Sequence, residues 1–270
     1  MPRATVQDGV DLFYEDLGAG PPVLLVHGGF MSHRVWERQV TTLVDAGYRV
    51  VTPDLRGHGR SDKPASDYTA AMHAADLEGV RERLGIDAWA VVGWSLGATV
   101  AAEYADATPE RLTHLALVST GIFEGLAPDD EDDDGEGLNV EALVEGQRSD
   151  RPAGMAAYVD RMFGGEPEPW TKRWLWSIGM ETPQRVAVKT LDIYRDPDYD
   201  RLAAALSALD VPCAAFHGKR DGAATPEAAA YVAREVFTDG RFVAFEASGH
   251  LPFLAEPERF DDHLLALLDA

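Results

Sequence analysis

Short apolar runs and helix-like runs alternate along most of this chain, and that alternation constrains its fold more than any other feature. Strands are expected near residues 4–7, 11–15, 22–27, 48–52, 88–93, 113–119, 211–217 and 241–246, with helices near 34–46, 69–84, 96–107, 226–236 and 257–268. Strict alternation means a mostly parallel, doubly wound sheet of eight strands with helices on both faces, an α/β fold. The first two short runs would form an antiparallel edge. Between residues 122 and 200 the alternation stops, and helix-like segments at 140–147, 155–163, 170–180 and 184–195 follow one another without strands. The expected organisation is a core from 1–121 and 201–270 with a helical cap, 122–200, inserted after the sixth strand.

One junction in this pattern carries chemistry. Gly93-Trp94-Ser95-Leu96-Gly97 joins the apolar run 89–92 to the Ala-rich run 98–107. A strand-to-helix turn this tight leaves no room for side chains at its two glycines and pushes the serine hydroxyl outward. The helix that follows aims free N–H groups at the same spot. Ser95 is therefore a candidate nucleophile, and it needs a histidine to take its proton and a carboxylate to orient that histidine. His250 lies in Ala247-Ser-Gly-His250, directly after a strand-like run, on a loop bounded by glycine and proline. Asp221 lies at the end of the seventh expected strand, in His217-Gly-Lys-Arg-Asp221-Gly222. The order Ser95, Asp221, His250 differs from those of chymotrypsin and subtilisin. An oxyanion hole can be read as well. His27-Gly-Gly-Phe30 follows a buried strand, so Gly29 or Phe30 would donate one N–H, and Leu96 the other.

With these residues assembled, the chain resembles the α/β-hydrolase fold family, in its serine-nucleophile branch of esterases, lactonases and cofactor-free haloperoxidase-like enzymes. Trp36, the loop Asp54-Leu-Arg-Gly-His-Gly-Arg-Ser61 and the stretch from Gly249-His250 to Glu256-Pro257 extend the likeness. Ala98, where many relatives carry a second glycine, is a mild departure. The resemblance implies a serine hydrolase that cleaves a small to medium, largely apolar carboxylic ester or lactone through an acyl-enzyme, without cofactor or metal. The same constellation in similar families cleaves carbon–carbon bonds or makes peracids. A hydrolase-like receptor that retains the triad to sense a ligand is the reading from another class.

Composition removes several other classes. The net charge of −22 opposes binding to nucleic acid or to anionic membranes. No apolar run approaches the roughly 18 residues of a membrane span, and no signal peptide is evident, which leads to the cytoplasm. The single cysteine, Cys213, reads as a small buried hydrophobe. Oligomeric state is left open. The acidic run 129–136 matches a calcium-loop expression when read from Asp130, but Gly137 and Pro128 spoil the motif, and a solvated loop is the expectation. Glu124 is the fallback acid. His27, His33, His58, His73, His114, His217 and His263 have no ligand spacing and are read as structural. Trp94, Met162, Trp170, Trp174 and Met180, with Trp176, are candidates for lining an acyl pocket, set against the plainer reading that aromatics at helical spacing are core.

Overall fold

The structure is a computed structural model that describes residues 2–122, 139–195 and 197–270. Eight strands form one sheet: β1 Arg3–Thr5, β2 Asp11–Gly18, β3 Pro22–Val26, β4 Arg49–Pro53, β5 Trp89–Trp94, β6 Leu112–Val118, β7 Cys213–Gly218 and β8 Gly240–Phe245. Their order across the sheet is β1-β2-β4-β3-β5-β6-β7-β8. The pairs β1–β2 and β2–β4 are antiparallel and every other pair is parallel. The eight-stranded, mostly parallel sheet with its antiparallel edge is therefore the architecture that the alternation required.

Successive side chains of the central strands serve opposite faces, as the two-residue period of a strand demands. Val23 and Leu25 of β3 enter one buried cluster, while Leu24 and Val26 enter the other. One face is covered by α1 (Glu37–Asp45), which contributes Leu43, α10 (Pro252–Ala255), which contributes Phe253, and α11 (Pro257–Leu268), which contributes Phe260, Leu264 and Leu267. The other is covered by α2 (Ala70–Leu84), α3 (Leu96–Ala107) and α8 (Tyr199–Ser207). Thr69 caps α2 by accepting the Met72 N–H, and Gly85 closes the helix in the left-handed conformation. Some ends differ from the sequence pattern for local reasons. Residues 33–36 wind as a 3-10 turn before α1, and α9 (Pro226–Tyr231) continues through Val232–Val236 as a π turn.

Between β6 and β7 lie α4 (Val140–Ser149), α5 (Arg151–Arg161), α6 (Pro169–Gly179) and α7 (Gln184–Thr190). Asn139 and Asp150 cap α4 and α5 through their side chains. Met155, Val159, Leu175, Ile178 and Ala187 from these helices join the same buried cluster as Val23 and Leu25 of β3, so this layer shares its interior with the sheet face. The acidic run 129–136 and Glu124 lie outside the described residues. Among the described residues no helix is long and apolar enough to cross a membrane, and no group of three metal-capable side chains gathers.

Candidate active site

Ser95 sits between β5 and α3 with φ 54° and ψ −117°, a conformation that a residue with a side chain adopts only under constraint. The constraint is visible in the backbone. Ser95 N–H donates to Val118 O at 2.9 Å, and Ser95 O receives the Ala98 N–H at 2.8 Å. A Cβ on Gly93 would lie 2.2 Å from Gly97 O, and one on Gly97 would lie 2.3 Å from Val26 O. Both glycines are therefore required by close approach of backbone to backbone.

His250 and Asp221 meet. His250 Nδ1 lies 2.7 Å from Asp221 Oδ2, and the Asp221 side chain is fully buried. Asp221 Oδ1 accepts the N–H groups of Ala223 and Ala224 at 2.8 and 3.2 Å. Burial pushes the Asp221 carboxyl up, but the charges and hydrogen bonds of His250 and His217 outweigh it and hold the group well below the ordinary carboxylate range. His250 is itself clamped at both ends of its backbone. Its N–H donates to Met162 O at 2.8 Å, and its carbonyl accepts from Trp94 Nε1 at 2.7 Å. At the base of the same loop, Glu256 Oε1 accepts from Ala247 N–H and Ser248 Oγ at 2.9 and 2.7 Å. With Nδ1 engaged by Asp221, Nε2 is the ring nitrogen left for the cavity.

Ser95 and His250 line one cavity of about 100 Å³. Gly29 and Phe30 border it too, and Phe30 takes the left-handed conformation at φ 64°. Leu96 is the first residue of α3, so its N–H has no carbonyl one turn back. His27 braces this loop. Its Nδ1 reaches Gly28 O at 2.8 Å, and its Nε2 accepts the Leu55 N–H at 3.0 Å, which ties the loop after β3 to the loop after β4. That second loop is anchored in turn. Asp54 accepts His33 N–H, His33 Nδ1 and Arg60 N–H at 2.8, 2.7 and 2.7 Å. Arg56 makes a fully buried two-point pair with Asp76 of α2, both contacts at 2.5 Å.

The segments between β6 and β7 contribute a different wall from the one expected. Val140, Leu143, Tyr158, Leu191, Tyr194 and Tyr199 border the cavity, whereas Trp94, Met162, Trp170, Trp174 and Met180 do not. Trp94 is fully buried beneath the site, its ring 5.7 Å from that of His250 and 5.2 Å from that of Phe253. Met162 is buried too and presents its backbone, not its thioether, to His250. Trp174 and Met180 pack half-buried against the cluster shared with the sheet, and Trp176 donates to Pro152 O at 3.0 Å. Trp170 is 72% exposed under the Arg173 guanidinium. Helical spacing sends these side chains to the joint cluster or to the surface. The tyrosines that face the cavity lie on α5, on the 3-10 turn 191–194 and at the first residue of α8.

His217 has a contact that its position in the sequence did not announce: its Nε2 lies 3.0 Å from Asp221 Oδ2. The remaining signal was the four-residue spacing from His217 to Asp221 across a strand end. Cys213 is buried, and burial pushes its thiol up to about 12, which makes it inert as a nucleophile.

A sequence model described as the alpha/beta hydrolase fold matches residues 21–257. The chain belongs to the α/β-hydrolase fold family. Among curated relatives of this hydrolase, a non-heme haloperoxidase of Rhodococcus erythropolis is 31% identical over 232 residues, covering 82% of each chain. A bifunctional esterase/perhydrolase of Acinetobacter calcoaceticus is 27% identical and covers 99% of each chain. Among solved structures, an esterase of Exiguobacterium antarcticum superposes with a TM-score of 0.89 at 26% identity, covering 99% of each chain. The chain is an enzyme of the α/β-hydrolase family.

Proposed function

We propose that this α/β hydrolase is a serine esterase that cleaves a small carboxylic ester or lactone through an acyl-enzyme. The observation that carries the reading is that one cavity is lined by the strained Ser95 at the tip of β5 and by His250, which a buried Asp221 holds at 2.7 Å. Ser95 Oγ attacks the carbonyl carbon while His250 Nε2 takes its proton, and Asp221 stabilises the imidazolium without accepting that proton. The N–H of Leu96 and that of Gly29 or Phe30 receive the oxyanion, in a site where fixed donors act at low dielectric. His250 then protonates the leaving alkoxide. It next deprotonates a water that releases the acid and restores Ser95.

At about 100 Å³ the cavity is small beside the roughly 300–1,000 Å³ of ordinary ligand pockets, which suits a short acyl or alkoxy group. Val140, Leu143 and Leu191 make its cap side apolar. A second reading, perhydrolysis, draws support from the esterase/perhydrolase and haloperoxidase relatives. In it, peroxide takes the place of water on the acyl-enzyme. The deciding experiment measures turnover of short p-nitrophenyl esters by wild type and Ser95→Ala, with and without peroxide. Loss of about 1000-fold or more in kcat is expected for Ser95→Ala. Full turnover by that variant would overthrow the mechanism. Peracid formed from acetate and peroxide at a rate matching ester hydrolysis would favour the second reading.

A further inference from the structure

His217 stands near the end of β7, four residues before Asp221, and its side chain is fully buried. Its Nε2 lies 3.0 Å from Asp221 Oδ2 and 3.1 Å from the Ala224 carbonyl oxygen. Both neighbours accept hydrogen bonds, so Nε2 must carry the hydrogen. Nδ1 is buried without a partner, which makes it the bare nitrogen of a neutral ring. His250 Nδ1 reaches the same Oδ2 at 2.7 Å, while the N–H groups of Ala223 and Ala224 occupy Oδ1. A carboxylate offers about four lone-pair sites, and here all are filled.

We infer that His217 is a positioning residue of the site: its Nε2–H fills the second lone pair of Asp221 Oδ2, fixing the carboxylate in the plane that His250 requires and dividing its acceptor strength between two imidazoles. The inference rests on the triad reading above. An oxygen that accepts two N–H groups gives less to each than an oxygen that accepts one. Without His217, Oδ2 would hold the His250 Nδ1–H more strongly, the protonated imidazole would gain, and the base form would appear only at higher pH. Asp221 comes from the loop after β7 and His250 from the loop after β8, and two further groups bear on them. From the cap, Tyr158 feels the Asp221 charge, and Arg161 donates through Nε to Gly222 O. Burial keeps the Tyr158 phenol far above neutral, and arginine keeps its charge, so neither changes state across the assay range.

The test is the pH dependence of kcat/KM on a p-nitrophenyl ester for wild type, His217→Met, His217→Gln and His250→Ala. Glutamine places an amide N–H where Nε2–H stood. His217→Met is expected to move the acid limb up by about one pH unit and to lower kcat about tenfold. His217→Gln should overlay wild type. An unmoved limb in His217→Met, or a limb moved as far by His217→Gln, overturns the inference while leaving the triad intact. Retained activity in His250→Ala overturns the triad reading and this inference with it. Nitrogen-15 spectra of histidine-labelled wild type decide the matter independently of any variant's folding. A protonated Nε2 and a bare Nδ1 on His217 are expected, and a bare Nε2 refutes the role.

Discussion

Three buried histidines make this hydrolase acid-labile in a way that can be worked out group by group. His27, His58 and His73 are each fully buried, with ring centroids 5.2 Å apart for His27–His58 and 6.3 Å for His58–His73. Burial is the largest cause in each case, and it favours the neutral ring. It takes His27 down to about 4, with Asp54 partly opposing, and His58 down to about 3, with His27 adding to the fall. His73, whose two ring nitrogens have no partner, is also held well below 6.5. In the unfolded chain all three titrate near 6.5. Below that pH the unfolded state binds protons that the native state refuses, so stability is full above pH 6.5 and drains away as the pH falls toward the native values. Between pH 8 and pH 5 His27 and His58 each contribute about 2 kcal/mol of loss, about 4 kcal/mol together, and His73 adds in the same direction. Total stabilities of folded domains run about 5–15 kcal/mol, so the loss is a large share. Urea unfolding followed by tryptophan fluorescence at pH 8, 7, 6 and 5 would measure it. The slope of stability against pH should correspond to the uptake of nearly two protons by His27 and His58 on unfolding near pH 5.5, with His73 adding to it. His73→Leu should lower that uptake and shrink the pH 8 to pH 5 difference. A wild-type slope below one proton in this window would falsify the assignment of these rings as buried and neutral.

Three further outcomes follow from particular contacts. Gly97→Ala places a Cβ 2.3 Å from Val26 O, so α3 must shift and carry the Leu96 N–H with it. We expect a cost of about 1–3 kcal/mol in stability and about a hundredfold in kcat, and a variant with wild-type kcat would contradict the elbow geometry. Arg56→Met strands Asp76, whose carboxyl burial already pushes up, and should cost about 3–5 kcal/mol in chemical denaturation. Adding Asp76→Leu should recover much of that loss; no recovery would mean that the pair is held for packing rather than for charge. Trp170→Ser, at an exposed ring, should change stability by less than about 0.5 kcal/mol and leave KM for short esters unchanged. A raised KM would return Trp170 to the binding wall.

The sheet was legible because its signal is local and repeated. Runs such as Val23-Leu24-Leu25-Val26 announce a strand buried on both faces, and the spacing between successive strands announces the crossover helices. The elbow was legible for a related reason: two glycines and a serine at a strand-to-helix junction describe a backbone shape in five residues. The wall supplied by the segments between β6 and β7 was not. Which side of α6 turns inward depends on what α5 and the sheet present to it, and the periodicity of 169–179 is satisfied equally by a pocket or by a packed interior. Trp174 and Met180 packed half-buried against the shared cluster, while Tyr158, Tyr194 and Tyr199 reached the cavity.

By itself, then, the sequence determined the α/β architecture and the order in which Ser95, Asp221 and His250 occur, because backbone period and turn chemistry are written over a few adjacent residues. Only the tertiary structure decided which side chains meet. It brought His250 to Asp221 across 29 positions, placed His217 on the same carboxylate oxygen, and gave the Met162 carbonyl rather than its thioether to His250. Such pairings depend on distances between segments far apart in the chain. Those distances exist only once both faces of the sheet have been covered.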